Sequence, residues 1–330
     1  MSTPSDRQDP SEKALVIKAK GGLGNRMLSA VTGLVLARLN NRTPYVDWRD
    51  GMYLEVGDNL YPLLFEAGWM GDLAAYDKET DVAPTIWSGR LAQQPVDIIR
   101  SEFPDKHQDP LLYRKLSIDL KRADPGSRVG VYWSYIPKLK RLQSRLSRSP
   151  HFVGKDLDTI TSDMLDKHFT PVKEVRDRVD AIFAETTSPM IGVHIRFTDR
   201  KVPIEKILAK LEGLTRRQPE AGIFLATDSA EAQEAILSRF PSAKTIDKAL
   251  ASDDVALHFS SEHFSDPVVE ARNALIDMVA LSRCNWLVHS RHSTFSVTAA
   301  LIGRIPDERQ IDVDRSNLKV RLKQFVQARV

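Results

Sequence analysis

His194 and Arg196 stand two apart at the end of an apolar run, Ile191-Gly192-Val193-His194-Ile195-Arg196-Phe197-Thr198-Asp199. On an extended chain that spacing sends both side chains to the same side. An arginine fork fixed beside an imidazole and an aspartate suits a multiply charged anion such as a diphosphate. A strand-end ion pair is the plain structural alternative.

Four further stretches could join that chemistry. Gly21-Gly22-Leu23-Gly24-Asn25-Arg26 lies between an apolar hexad and a helical stretch. Gly22, Gly24, Asn25 and Arg26 are candidate anion binders there, because glycines admit close backbone approach and a helix start offers free N–H groups. A tight strand-to-helix turn is the rival. Met27 stands where a dinucleotide fingerprint needs its third glycine or alanine, and no Gly-Lys-Ser/Thr follows, so neither that fingerprint nor a P-loop is present. Thr227-Asp228-Ser229 closes a second apolar run. Asp228 either caps the next helix together with Glu231 or faces the cluster holding Arg196. Asp277 sits within Ala274-Leu275-Ile276-Asp277-Met278-Val279-Ala280-Leu281, where a buried acid needs a partner. Its carboxylate could accept two hydrogen bonds from the N1–H and amino group of a guanine, or it could lie on a wet helix edge. Ser293-Thr294-Phe295-Ser296 opens a helix whose hydroxyls and amides suit phosphate, with Ser293 equally suited to a plain N-cap. His289 and His292 read as structural.

The elements that must position these residues follow from periodicity. Strands are expected over 14–19, 44–48, 129–135, 190–197, 223–227, 244–246 and 286–289. Helices are expected over 26–40, 138–148, 155–185, 203–214, 229–238, 267–283, 294–302 and, as a basic amphipathic tail, 318–330. Strands alternating with helices imply parallel sheets covered on both faces. Ligands of such sheets gather at the carboxyl ends of the strands, where His194, Arg196 and Asp228 stand. The expected organisation is a disordered tail over 1–12, a first domain over 13–187, a second over 188–312 and a C-terminal helix over 313–330 packing back on the body.

The bulk numbers narrow the class. The chain has 330 residues, enough for two domains, with 42% hydrophobic and 28% charged residues, as in ordinary globular proteins. A net charge of +3 gives no argument for nucleic acid, though it leaves room for loose contact with an acidic membrane surface. Cys284 is the single cysteine, so neither a disulfide framework nor a cysteine-based zinc site can form within one chain. No apolar core of a signal peptide and no run of ~18 apolar residues is seen, so a cytoplasmic location without a spanning segment is expected. Asn41-Arg42-Thr43 is only a formal glycosylation acceptor. The pairs Asp156/Asp158 and Asp312/Asp314 do not follow an obvious strand, and no metal is expected. There is no Gly-x-Ser-x-Gly elbow.

Taken in order, Gly21-Gly22-Leu23-Gly24-Asn25, Tyr45-Val46-Asp47-Trp48-Arg49, His194-Ile195-Arg196-Phe197-Thr198-Asp199, Phe224-Leu225-Ala226-Thr227-Asp228, Leu275-Ile276-Asp277 and Thr294-Phe295-Ser296 resemble the fucosyltransferases related to nodulation protein Z and the eukaryotic α-1,6-fucosyltransferases. The Asp-Trp-Arg segment leans toward the nodulation branch. The resemblance implies an α/β protein of GT-B-like architecture, two Rossmann-like domains facing a central cleft. It implies an inverting, metal-independent transfer of fucose from GDP-fucose, held mainly by the second domain, to a glycan hydroxyl, α-1,6 on a GlcNAc-containing oligosaccharide. GDP-fucose is then a substrate, and no cofactor is implied. Arg196 would hold the β-phosphate, His194 and Asp277 the guanine side, and Thr294, Phe295 and Ser296 the phosphate side, with Asp199 and Asp228 as acids of the donor pocket. Asp199 and Glu205 are the candidate bases. Phe197 stands where the family often has a second arginine, Ser229 where some members have a second aspartate, and the segment after Asp199 is shortened. A nucleotide-sugar-binding protein without turnover and a transferase of another GDP-sugar are the competing readings.

Overall fold

The structure is a computed structural model that describes residues 11–109, 111–196, 204–248, 250 and 266–314. Phe197, Asp199, the tail over 1–10 and the helix expected over 318–330 lie outside the described residues.

Two four-stranded parallel sheets organise the chain. The first contains β1 (Ala14–Ala19), β2 (Thr43–Asp47), β3 (Val82–Ala83) and β4 (Val129–Ser134), in the order β2-β1-β4-β3. Its helices are α1 (Leu23–Leu39), α2 (Tyr61–Leu64), α3 (Pro95–Glu102) and α4 (Gln143–Leu146). Then α5 (Leu157–His168) and α6 (Lys173–Phe183) lead to the second sheet. It contains β5 (Met190–Ile195), β6 (Gly222–Thr227), β7 (Trp286–His289) and β8 (Gln310–Asp312), in the order β6-β5-β7-β8. Between its strands run α7 (Ile204–Arg217), α8 (Ala230–Arg239), α9 (Pro267–Ser282) and α10 (Thr294–Ile302). The architecture is GT-B-like.

Burial on both faces explains why the strands read as unbroken apolar runs. In β1, Leu15 and Ile17 pack toward α1, while Ala14 and Val16 join a second cluster with Trp87 and Ile98. The α1 cluster also includes Phe224, Leu275 and Ala299, so one apolar core runs from the first sheet into the helices of the second. α1 and α5 both pack on α10, which couples the two sheets.

Several expectations need correction. Lys244–Ile246 is not a strand. Lys244 makes one isolated bridge to Phe224 while its ammonium is drawn to the Ile182 carbonyl and Thr186, each at 2.8 Å. The basic stretch 138–148 is a 3-10 turn over Leu139–Leu142 followed by α4, pinned by buried Leu139, Leu142 and Leu146. The two-residue β3, β8 and α3 were not anticipated. Asp312 does close a strand, β8, but it accepts from the backbone N–H groups of Arg291 and Asp314 at 3.3 and 2.9 Å. Glu12, expected in the disordered tail, accepts hydrogen bonds from Tyr45 and Tyr76, at 3.3 and 3.1 Å, so that residue is tied to the first sheet. Among the described residues, no helix is long and apolar enough to cross a membrane.

Candidate functional site

The carboxyl ends of the two sheets converge through their helix starts. α1 begins just past β1 at Gly22, and α10 begins shortly after β7 at Ser293. A Cβ on Gly24 would lie 2.6 Å from the Phe295 nitrogen and from the Thr294 carbonyl group, so only glycine lets the two helix ends touch. Gly21 has φ +93°, and the Tyr135 ring fills the place of its missing Cβ. Neither α1 nor α10 has a side-chain cap, whereas Asp156, Ser229 and Asp266 cap α5, α8 and α9. Unsatisfied backbone N–H groups and the positive ends of two helix dipoles therefore point into one place. The Ser293 hydroxyl there is buried without a hydrogen-bond partner among the described residues.

Arg26 is fully buried beneath this junction. Its Nε donates to the Gly21 carbonyl at 2.7 Å, and its Nη2 donates to both Asp50 oxygens at 2.8 and 2.7 Å. The Trp48 and Tyr53 rings lie 5.7 and 5.3 Å from the guanidinium, whose Nη1 has no partner. Most of Arg26's capacity thus holds the glycine loop in shape. Burial pushes the Tyr53 phenol above its usual range, with Arg26 and Arg196 pulling it down and Asp50 pushing it up. Arg26 on α1 and Arg196 just past β5 thus act electrostatically on one hydroxyl.

His194 and Phe295 stack with ring centroids 5.0 Å apart and planes 20° from parallel. Burial, then the charges of His289, Arg196 and Lys248, hold His194 neutral, down to about 3, and its Nδ1 has no partner. Asp277 is 2% exposed on α9, which rules out the wet helix edge. Its Oδ2 is paired with the Lys248 ammonium, and its Oδ1 has no partner among the described residues. Burial pushes its carboxyl above the usual range, against the opposing pull of Lys248.

The remaining candidates divide. Asp228 is half-buried just past β6 and acts electrostatically on Asp277. It is not the cap of α8; the Ser229 hydroxyl takes that place, accepting from the Ala232 N–H at 3.3 Å. Ser229 therefore does at the helix start what was expected of Asp228 and Glu231. Ser296 is fully buried and turned inward, with Oγ 3.0 Å from His289 Nδ1. Thr294 and Phe295 are half-buried, as are Gly22 and Asn25. Glu205 is exposed in the first turn of α7, and Asp199 lies outside the described residues. Among the described residues no cluster of His, Cys, Asp and Glu is arranged to hold a metal ion.

Three participants gave no signal in the sequence. Lys248 lies in a stretch without periodicity and meets Asp277 only through the fold. Asp50 and Tyr53 follow β2 in a loop, where nothing marks them as partners of Arg26.

Known proteins share this fold. Nodulation protein Z of Azorhizobium caulinodans is 23% identical over 310 residues, covering 84% of this chain and 85% of its own. The crystal structure of the selenomethionine-labelled fucosyltransferase NodZ from Bradyrhizobium superposes with a TM-score of 0.62 at 20% identity, covering 88% of this chain and 93% of that one. The crystal structure of NodZ alpha-1,6-fucosyltransferase soaked with GDP-fucose gives 0.61 at 20% identity, with the same coverage. The profile of the nodulation protein Z (NodZ) family matches residues 158–325, over half of the chain and nearly all of its second sheet. By that match, the chain belongs to the nodulation protein Z family.

Proposed function

We propose that this protein is an inverting, metal-independent fucosyltransferase that moves fucose from GDP-fucose to a hydroxyl of a GlcNAc-containing oligosaccharide, forming an α-1,6 linkage. The observation that carries the reading is the contact between the starts of α1 and α10, with Arg196 acting electrostatically on Tyr53 beside Arg26. That place favours a diphosphate, because two helix starts offer N–H groups there and the Arg196 charge acts on the same locality. The family's relatives support the same donor, since one related structure was soaked with GDP-fucose and another was co-crystallized with GDP.

In this reading the acceptor hydroxyl attacks the anomeric carbon of fucose on the face opposite GDP. The bond from that carbon to the β-phosphate oxygen breaks, and GDP leaves with the electron pair. Arg196 and the backbone amides at Gly22–Asn25 and Thr294–Phe295 stabilise the growing phosphate charge. Asp199 or Glu205 takes the acceptor proton. Asp277 and His194 receive the guanine. Ser296 orients His289 and the α10 start from below, and Arg26 shapes the glycine loop.

The test is incubation with GDP-fucose and chitooligosaccharides, with and without chelator, reading GDP release and product mass together. GDP release matched by a fucosylated product, and unaffected by chelator, is expected. Arg196→Ala should lower kcat by about 10²–10³ while the melting temperature holds, the usual effect of losing one transition-state donor. Wild-type turnover by that variant would refute the assignment of Arg196. Binding of GDP-fucose without any GDP release across acceptors would replace the reading with that of a binding protein. Release from GDP-mannose instead of GDP-fucose would move it to another GDP-sugar.

A further inference from the structure

We propose that Lys248 is a positioning residue of the base-recognition site: its ammonium grips one oxygen of Asp277 and leaves the other to read an N–H edge of guanine. This rests on the second sheet being the donor side.

Asp277 is held differently from Asp47, the other buried aspartate among the described residues. Asp47, also 2% exposed, has both oxygens filled. Its Oδ1 accepts from the backbone N–H and Nε of Arg49, each at 3.1 Å. Its Oδ2 accepts from Lys18 at 2.7 Å and from Arg49 Nη2 at 3.1 Å. Asp277 has Lys248 on Oδ2 and, among the described residues, nothing on Oδ1, although that atom is out of reach of solvent. Buried acceptors are rarely left without a donor, and such exceptions call for a ligand, a water or a role. The nearby His194 Nδ1 is unpartnered as well, on a ring stacked against Phe295. Lys248 acts electrostatically on both His194 and Asp277, so the vacant acceptor, the imidazole and the ammonium share one locality.

The ammonium decides what the carboxylate can read. An ionised carboxylate only accepts hydrogen bonds, whereas a protonated one donates. Guanine presents N1–H and an exocyclic amine side by side, hypoxanthine presents N1–H alone, and adenine presents an acceptor at N1. An ionised Asp277 therefore selects guanine over adenine. The charged groups acting on it are Lys248, from the segment after the Lys244 bridge, and Asp228, at the end of β6. Burial and Asp228 both favour the protonated form, and Lys248 opposes them. His194 on β5 and Glu270 on α9 feel the same ammonium, so their titration is to be followed alongside. Oδ2 has lone pairs for both Lys248 and a base N–H, so the lysine does not have to leave when the base enters.

The test is calorimetric titration of the intact chain and of Lys248→Met with GDP, IDP and ADP at pH 6 and pH 8. Lys248→Met should weaken GDP binding about tenfold or more, and more at pH 6 than at pH 8, because losing the ammonium removes the pull that opposes burial of the charged carboxylate. ADP binding should stay as weak as in the wild type, and Lys248→Arg should keep the GDP preference. Lys248→Gln serves in the same way if the methionine variant does not fold. GDP binding by the lysine-free variant that equals the wild type at both pH values would overturn the proposal. Tighter binding would also overturn it, since the ammonium would then occupy the base's own place. Failure of the wild type itself to bind GDP would instead remove the donor-site reading, and Lys248's role with it.

Discussion

Gly24→Ala separates the geometry of the helix junction from the stability of the fold. The new methyl carbon would stand 2.6 Å from backbone atoms of Thr294 and Phe295, against 3.4–4 Å for ordinary contact. These are main-chain atoms at a helix start, so no side chain can rotate away. The α1 and α10 ends must part by roughly 1 Å, the scale at which misplacement can cost on the order of 10²-fold in rate. Stability should move much less. Overpacking costs about 1–3 kcal/mol, while exchanging glycine for alanine inside a helix returns about 1 kcal/mol. The net loss is then on the order of 0–2 kcal/mol. The assay is GDP release under saturating donor and acceptor, paired with a thermal melt. Gly22→Ala is the stability control, because nothing lies within 4 Å of its Cβ and its φ of −65° suits any residue. A Gly24→Ala enzyme with wild-type kcat and KM would refute the idea that contact between the two helix starts builds the site.

Other consequences follow from buried charge. Asp50→Ala leaves the fully buried Arg26 guanidinium without its counter-ion and should cost about 3–5 kcal/mol, read from the urea midpoint. Adding Arg26→Met should recover part of that loss, and an unchanged midpoint in the single variant would count against the ion pair's structural role. Acid should destabilise the protein early. Burial lowers His168, His194 and His289 to about 4, about 3 and about 4, below their ordinary 6.5. The unfolded chain then binds more protons between those values and 6.5, so stability is present above 6.5 and is lost as pH falls through the window. Each histidine contributes at most about 1.4 kcal/mol per pH unit. The melting temperature should therefore fall between pH 7 and pH 5, and a flat profile would contradict the buried neutral state of these rings.

The longer sheet strands were legible because most of their residues are buried. The runs at 14–19, 190–195, 223–227 and 286–289 hold enough consecutive apolar residues to be read without partners. β3 and β8 were not legible, since two or three residues carry no period and are strands only by pairing with β4 and β7. Lys244–Ile246 failed for the opposite reason: its composition permits a strand, but its lysine is used on α6 and the following turn. In the site, the types and order of Gly24, His194, Arg196, Asp228 and Phe295 were visible because each stands near the start or end of a strand or helix, and Asp277 because it is an acid inside the apolar run of α9.

What the sequence determined by itself was the alternation of strands and helices and the motifs at their ends, since both depend on neighbours a few residues away. Tertiary structure alone decided that Gly24 touches Thr294 and Phe295, that Asp50 neutralises Arg26, and that Lys248 fills one oxygen of Asp277 and leaves the other open. Such contacts join residues far apart in the chain, and hydrophobic periodicity is silent about which polar groups a fold brings face to face.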